Sequence, residues 1–193
     1  MLRTSSFFLA GLIAALAAGW LAFPRALYRT QSQPLQFSHA THAGEKGGMQ
    51  CQDCHTLGED GTFSGVPKLD KCSGCHTEAM GRQPDEKRFV EQFVGRQREV
   101  PWLVYSRQPD NAYFPHAAHM NLGKLTCETC HGDHGKTAAL RPYQENRISG
   151  YSRDVWGTSI SRLRPDGRPG MKMSDCESCH RDKKVVTGCI ACH

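Results

Sequence analysis

Apolar residues make up only 38% of this 193-residue sequence, and aromatic ones only 8%. A chain of this length ordinarily forms one or two domains around a moderate apolar core, and so little apolar material argues against a conventional one. There is one long apolar run, Phe7 to Phe23. Paired carboxylates, nucleophile–base pairs and phosphate-binding loops are missing, which excludes the common hydrolytic and group-transfer chemistries. Nor is there a cysteine outside one repeated motif, which leaves none for a separate disulfide framework.

All ten cysteines fall in five C-x-x-C-H boxes: CQDCH (Cys51, Cys54, His55), CSGCH (Cys72, Cys75, His76), CETCH (Cys127, Cys130, His131), CESCH (Cys176, Cys179, His180) and CIACH (Cys189, Cys192, His193). Zinc or disulfide pairing gives no reason for a histidine to follow the second cysteine five times. A c-type haem does, because two thiols form thioethers with the vinyl groups and the adjacent histidine ligates the iron. Five covalently bound haems are therefore expected, and the macrocycles supply much of the missing core. Regular structure should be sparse, mostly helical and irregular, and the apoprotein weak.

Five histidines lie outside the boxes: His39, His42, His116, His119 and His134. They match, one for one, the second ligands that five six-coordinate irons require. Bis-histidine ligation gives low-spin iron suited to electron transfer, and it closes the position that substrate activation would need. Two histidines three apart serve different irons, one in their own block and one next door. His134 follows His131 by three residues and is the least secure of the five; Met120, Met171 and Met173 are the alternatives, as is one five-coordinate haem. Methionine packed softly on porphyrin is the plainer reading of each. The chain thus reads as an electron conduit with no substrate-transforming site of its own.

The formal charge of +5 would suggest nucleic acid, but the excess is local: Lys and Arg outnumber Asp and Glu 11 to 6 from Lys136 onward and balance 13 to 13 before it. Haem propionates would reverse the sign of the loaded protein, so no nucleic-acid partner is expected. A basic region near the last two boxes suits either a redox partner or the propionates themselves.

Four segments follow. Residues 1–30 form an uncleaved membrane anchor, the apolar run being roughly 26 Å long as a helix; Ala15-x-Ala17 is a weak cleavage match, because apolar sequence continues to Phe23. Residues 31–83 form a first haem block with two haems, 84–112 a linker with an amphipathic helix, and 113–193 a second block with three. The blocks open alike, FSHATHAGEKGGMQCQDCH and FPHAAHMNLGKLTCETCH, which aligns Phe37 with Phe114, His39 with His116 and His42 with His119. In the linker, Phe89 with Phe93 and Val90 with Val94 recur at helical spacing; Pro84 sits in the first turn, and Val100–Pro101 ends the helix. From Leu140 to Met173 no period is sustained, and a long partner-binding loop is expected. The last box, ending at His193, is expected to close the fold near a surface or subunit contact.

The F-x-H-x-x-H units followed by C-x-x-C-H resemble class III multihaem cytochromes. More specifically, VPWLVYSRQPDNAYFPHAAHMNLGKLTCETCHG together with MKMSDCESCHR resembles the multihaem cytochrome subunits of alternative complex III and of the quinone reductase complex Qrc. The resemblance implies one helix in the bacterial cytoplasmic membrane and a haem domain in the periplasm. It also implies an iron–sulfur subunit, a molybdopterin-family-like subunit and polytopic quinone-interacting subunits as partners, with soluble periplasmic cytochrome c as donor. Qrc-like assemblies reduce menaquinone, the favoured direction here; alternative complex III oxidises quinol. Qrc cytochrome subunits carry six haems, so a sixth, non-covalent haem without a cysteine signature is a further expectation. A stand-alone membrane quinol dehydrogenase is the main alternative, although CQDCH is followed by Thr56 and Leu57 rather than by that group's x-M. A soluble haem carrier after leader cleavage requires loss of the apolar run, and a five-haem nitrite reductase requires a box with lysine in place of histidine.

Overall fold

The computed structural model describes residues 2–59, 61–63, 65–153, 173–185 and 188–193. Helix α1 (Leu2–Ala17) runs through a π turn (Ala18–Ala22) into a last turn, α2 (Phe23–Ala26). Consecutive apolar side chains, among them Phe7, Phe8, Ile13, Leu16 and Trp20, are exposed around it. A helix apolar on every side is at home in hydrocarbon, and Ser5–Ala22 has the length and composition to cross a membrane.

The chain packs as two compact units. The first comprises Met1–Gln31, Tyr105–Pro109 and Gln144–Thr187. Directly beyond α2, strand β1 (Tyr28–Gln31) pairs with β2 (Tyr143–Asn146) in a two-stranded sheet. Cross-strand side-chain contacts brace this small sheet. Arg29 ion-pairs with Glu145, Gln31 Nε2 donates to Glu145 Oε2 at 3.1 Å, and the Arg153 guanidinium lies 5.1 Å from the centre of the Tyr28 ring. Beyond β2 the buried Asn146 closes a turn, its Oδ1 accepting from Ile148 N and Ser149 N, and Gly150 adopts φ +72° to complete it. The long aperiodic stretch therefore begins with a strand and a turn. Neither was expected from its sequence, since YQEN has no apolar alternation; residues 154–172 of that stretch, Met171 included, lie outside the described residues. Helix α8 (Met173–Asp182) carries the fourth box.

The second unit comprises Ser32–Val104, Asp110–Tyr143 and Gly188–His193, and holds the other four boxes. It is built of short helices joined by irregular chain: α3 (His39–Ala43), α4 (Cys51–Cys54), α5 (Leu69–Ser73), α6 (Pro84–Phe89) and α7 (Cys127–His131). Its buried apolar side chains are few, chiefly Leu35, Leu69 and Val94. Polar stitching does the rest. Gln33 is buried and grips Leu103 at both ends, Nε2 donating to Leu103 O at 2.8 Å and Oε1 accepting from Leu103 N at 3.0 Å. Gln36 N donates to Asp85 Oδ2, Gln36 Oε1 accepts from Leu140 N, and Glu99 Oε2 accepts from Leu69 N at the start of α5.

The linker helix begins with Pro84 in its first turn, as expected, but ends at Val94 through a closing π turn rather than at Val100. Gly95 and a left-handed Gln97 (φ 51°) turn the chain there, and Arg98 N donates to Phe93 O at 3.0 Å. The early stop returns Glu99 to α5, a long-range contact that local spacing cannot reveal. Replacing Gln33 with leucine adds apolar surface yet strands the donor and acceptor of Leu103. Gln33→Leu should therefore destabilise the protein by about 1–3 kcal/mol, read as a lower thermal midpoint at the haem Soret band; an unchanged or higher midpoint would show that the stitch is dispensable.

Candidate haem sites

Each box lies on or beside a helical turn that places its two cysteines three residues apart, on one side, and ties the histidine back to the first cysteine. His55 N donates to Cys51 O at 2.8 Å, His76 N to Cys72 O at 2.9 Å and His193 N to Cys189 O at 3.1 Å. The turn of the first box is closed at its start, Gln50 N donating to Asp53 Oδ2 at 2.7 Å. After His131 the chain turns through Gly132 at φ 60°, ψ −151°, a conformation open to glycine. None of the ten cysteines is in a disulfide. Burial, followed by the neighbouring Asp53, raises the Cys54 thiol, and burial, followed by Cys54, raises Cys72. Burial also raises Cys127, which lies against Cys51. The first box thus stands beside both the second and the third.

The duplicated opening of the two blocks is duplicated in space. Phe37 stacks on His42 at 4.3 Å and meets His39 edge-on at 4.9 Å; Phe114 stacks on His119 at 4.3 Å and meets His116 edge-on at 4.7 Å. His42 Nδ1 lies 2.8 Å from Ser38 O, and His119 Nδ1 lies 2.9 Å from Pro115 O. A carbonyl only accepts, so Nδ1 carries the proton and the Nε2 lone pair is left to bind a metal. His193 follows the same rule with Asn111 O at 3.1 Å.

The fit to haem can be tested on distances. Two imidazoles ligating one iron from opposite faces have ring centroids about 6 Å apart, from two metal–nitrogen bonds of about 2 Å and two ring radii of about 1.1 Å. His42 and His76 have centroids 6.0 Å apart. His39 is near His55 and His134, and His116 near His131, each close enough for like charge to depress its pKa. The buried Nδ1 atoms of His39 and His76 have no hydrogen-bond partner among the described residues. His76 Nδ1 approaches Glu86 Oε1 at 3.2 Å, though outside hydrogen-bond geometry, while that carboxylate is held by Met80 N and Gly81 N. Free thiols, aimed lone pairs and facing imidazoles all suit a haem. His119, His134, His180 and His193 are not given opposite partners by these contacts.

Phe63 had no sequence signal; it lies between His55 (5.9 Å) and His116 (5.0 Å), bridging the two blocks. Phe89, on the apolar stripe of the linker helix, meets His76 edge-on at 5.9 Å. Around the last box, Tyr113 N donates to Cys192 O at 2.7 Å, and an open cleft of about 500 Å³ is lined by residues 110–113 and 190–193. Met120 is half-buried, and Met173 is exposed at the start of α8.

Burial, followed by the like charge of His55, His134 and His42, lowers the pKa of His39 from 6.5 to about 4. Burial likewise lowers His55, His116 and His131. A folded-state pKa below the unfolded one means that the unfolded chain binds more protons on acidification. Stability is full above about pH 6.5 and is lost as pH falls toward about 4. The thermal midpoint of the haem-free chain should therefore drop between pH 7 and pH 5; a flat or rising midpoint over that range would contradict the burial of these imidazoles.

A model of the class III cytochrome C family matches residues 22–100, and one of cytochrome c7 and related cytochrome c matches residues 112–193. The chain is also similar to a protein of Nitratidesulfovibrio vulgaris named menaquinone reductase, multiheme cytochrome c subunit. The two are 37% identical over 201 residues, covering 96% of this chain and 88% of that relative. One apolar helix ahead of the haem units makes the protein membrane-anchored, with its cytochrome domain on the periplasmic side. Paired imidazoles, unbridged C-x-x-C-H boxes and these matches together place the chain in the multihaem cytochrome c family, in the group of that menaquinone reductase subunit.

Proposed function

We propose that this protein is the electron-transfer subunit of a membrane-bound quinone reductase assembly. It takes single electrons from soluble periplasmic cytochrome c and delivers them to iron–sulfur and quinone-reactive subunits for menaquinone reduction. A molybdopterin-family-like subunit completes the set of partners. The observation that carries this reading is the similarity along nearly the whole chain to the menaquinone reductase subunit.

The five boxes hold five haems covalently, and each haem supplies an iron that alternates between ferric and ferrous states. The protein's part is to hold that iron six-coordinate and to fix the order of the sites. His55, His76, His131, His180 and His193 are the proximal ligands. His39 stands opposite His55, His42 opposite His76 and His116 opposite His131, the pairs supported by ring distance and proximity. His119 and His134 complete the set of five distal histidines. The contacts of Cys54 with Cys72 and of Cys51 with Cys127 favour the first site as the bridge between the second and third. The open cleft at residues 190–193 makes the fifth site the one best placed to exchange electrons with a partner. As units of duplication, 31–83 carries two haems and 113–193 three, with 84–112 between them; a sixth haem would need a ligand outside this set.

Purification through this chain from gently solubilised membranes should bring down iron–sulfur, molybdopterin-like and polytopic subunits, and the assembly should reduce a menaquinone analogue with reduced cytochrome c. An isolated cytochrome with quinol dehydrogenase activity would sink the proposal. The ligand assignment has its own check: His42→Met should raise the potential of one haem component in a redox titration. Five unshifted components would remove His42 from the ligand set.

A further inference from the structure

Immediately beyond the membrane helix, the first unit gathers arginines. Arg25 folds back so that its guanidinium donates to Leu21 O at 2.8 Å. Arg29 is on β1, Arg147 in the turn after β2, and Arg153 against Tyr28. Among the described residues of this segment the carboxylate facing them is Glu145, which Arg29 already engages. Arg147 is exposed and its side chain has no ion pair or hydrogen bond among the described residues. A cleft of about 230 Å³ is lined by Arg29, Glu145, Asn146, Arg147 and Gly150.

The position of this cleft along the helix is set by one bond, in which Arg147 N donates to Leu27 O at 2.8 Å. Leu27 is four residues past Phe23, where the apolar run ends, or about 6 Å along a helix. The polar layer on each side of the hydrocarbon is about 5–8 Å deep. The turn is thus pinned at headgroup depth. At its tip Ile148 is 79% exposed, an apolar side chain next to an unpaired cation. Either alone is ordinary in water, but at this depth the two together match an anionic phospholipid: a phosphate for the guanidinium and acyl chain for the isoleucine.

We propose that the turn after β2, with Arg29 and Arg147, is a binding site for the headgroup of an anionic phospholipid, with Ile148 dipping toward the acyl region. The inference rests on the reading of the N-terminal helix as a membrane anchor. It gives the cytochrome domain a second attachment to the bilayer, which limits its swing about the single helix.

The test uses the full-length holoprotein in mild detergent, titrated with phosphatidylglycerol, with phosphatidylcholine and with inorganic phosphate, bound lipid being counted by native mass spectrometry. Phosphatidylglycerol should be retained in preference to phosphatidylcholine. Arg147→Gln, whose side chain supports no other contact, should weaken phosphatidylglycerol about fivefold with the haem spectrum unchanged. Ile148→Ser should weaken both lipids alike. Equal retention of the two lipids, an Arg147→Gln variant that binds as wild type, or displacement of the lipid by inorganic phosphate would each overturn the site. Carbonate washing of native membranes separates the two readings. A chain that washes off overturns the anchor, whereas one that stays embedded without preferring phosphatidylglycerol overturns the headgroup site alone.

Discussion

The bond from a histidine Nδ1–H to the backbone carbonyl four residues earlier, made by His42 to Ser38 and by His119 to Pro115, is the contact on which the haem sites turn. It fixes the proton on one ring nitrogen and leaves the other with a lone pair able to bind a metal. It also orients the ring, and a phenylalanine stacked at 4.3 Å keeps it there in both blocks. Carbonyl, imidazole and phenyl ring occupy one helical turn, which explains how six residues can be duplicated as a working part. The copies agree in stacking distance, although one is preceded by serine and the other by proline, because the carbonyl alone takes part.

Around these turns the fold is economical to the point of incompleteness. Leu35, Leu69 and Val94 are too few to hold the second unit, and it relies on side-chain amides and carboxylates gripping backbone, as Gln33, Gln36 and Glu99 do. That is the organisation of a protein whose core is its cofactor. The buried Nδ1 of His39, with no hydrogen-bond partner among the described residues, belongs to the same logic. It is costly in an apoprotein and explains why stability should depend on attachment of haem.

The fifth and second boxes have different surroundings. The fifth box opens into a cleft with Ile190 almost fully exposed beside it. At the second box, Glu86 is fixed by two backbone amides beside His76, where a negative charge would favour the ferric state of an iron held by that histidine. The first unit carries the membrane helix and the arginine-lined turn at its foot.

Cofactor class, the five boxes and the five outlying histidines were legible in the sequence because attachment chemistry demands particular residues at fixed short spacings, and those survive without any fold. The internal repeat and the membrane helix were legible for the same reason. What only tertiary structure decided was which imidazole faces which: the 6.0 Å approach of His42 to His76 spans more than thirty residues of irregular chain. Glu86 beside His76, Phe63 between the two blocks and the early end of the linker helix at Gly95 also depended on it, as did the pairing of YRTQ with YQEN. These contacts join residues far apart in sequence through polar or single aromatic side chains, which leave no period to read, and they arise only when the chain closes on itself.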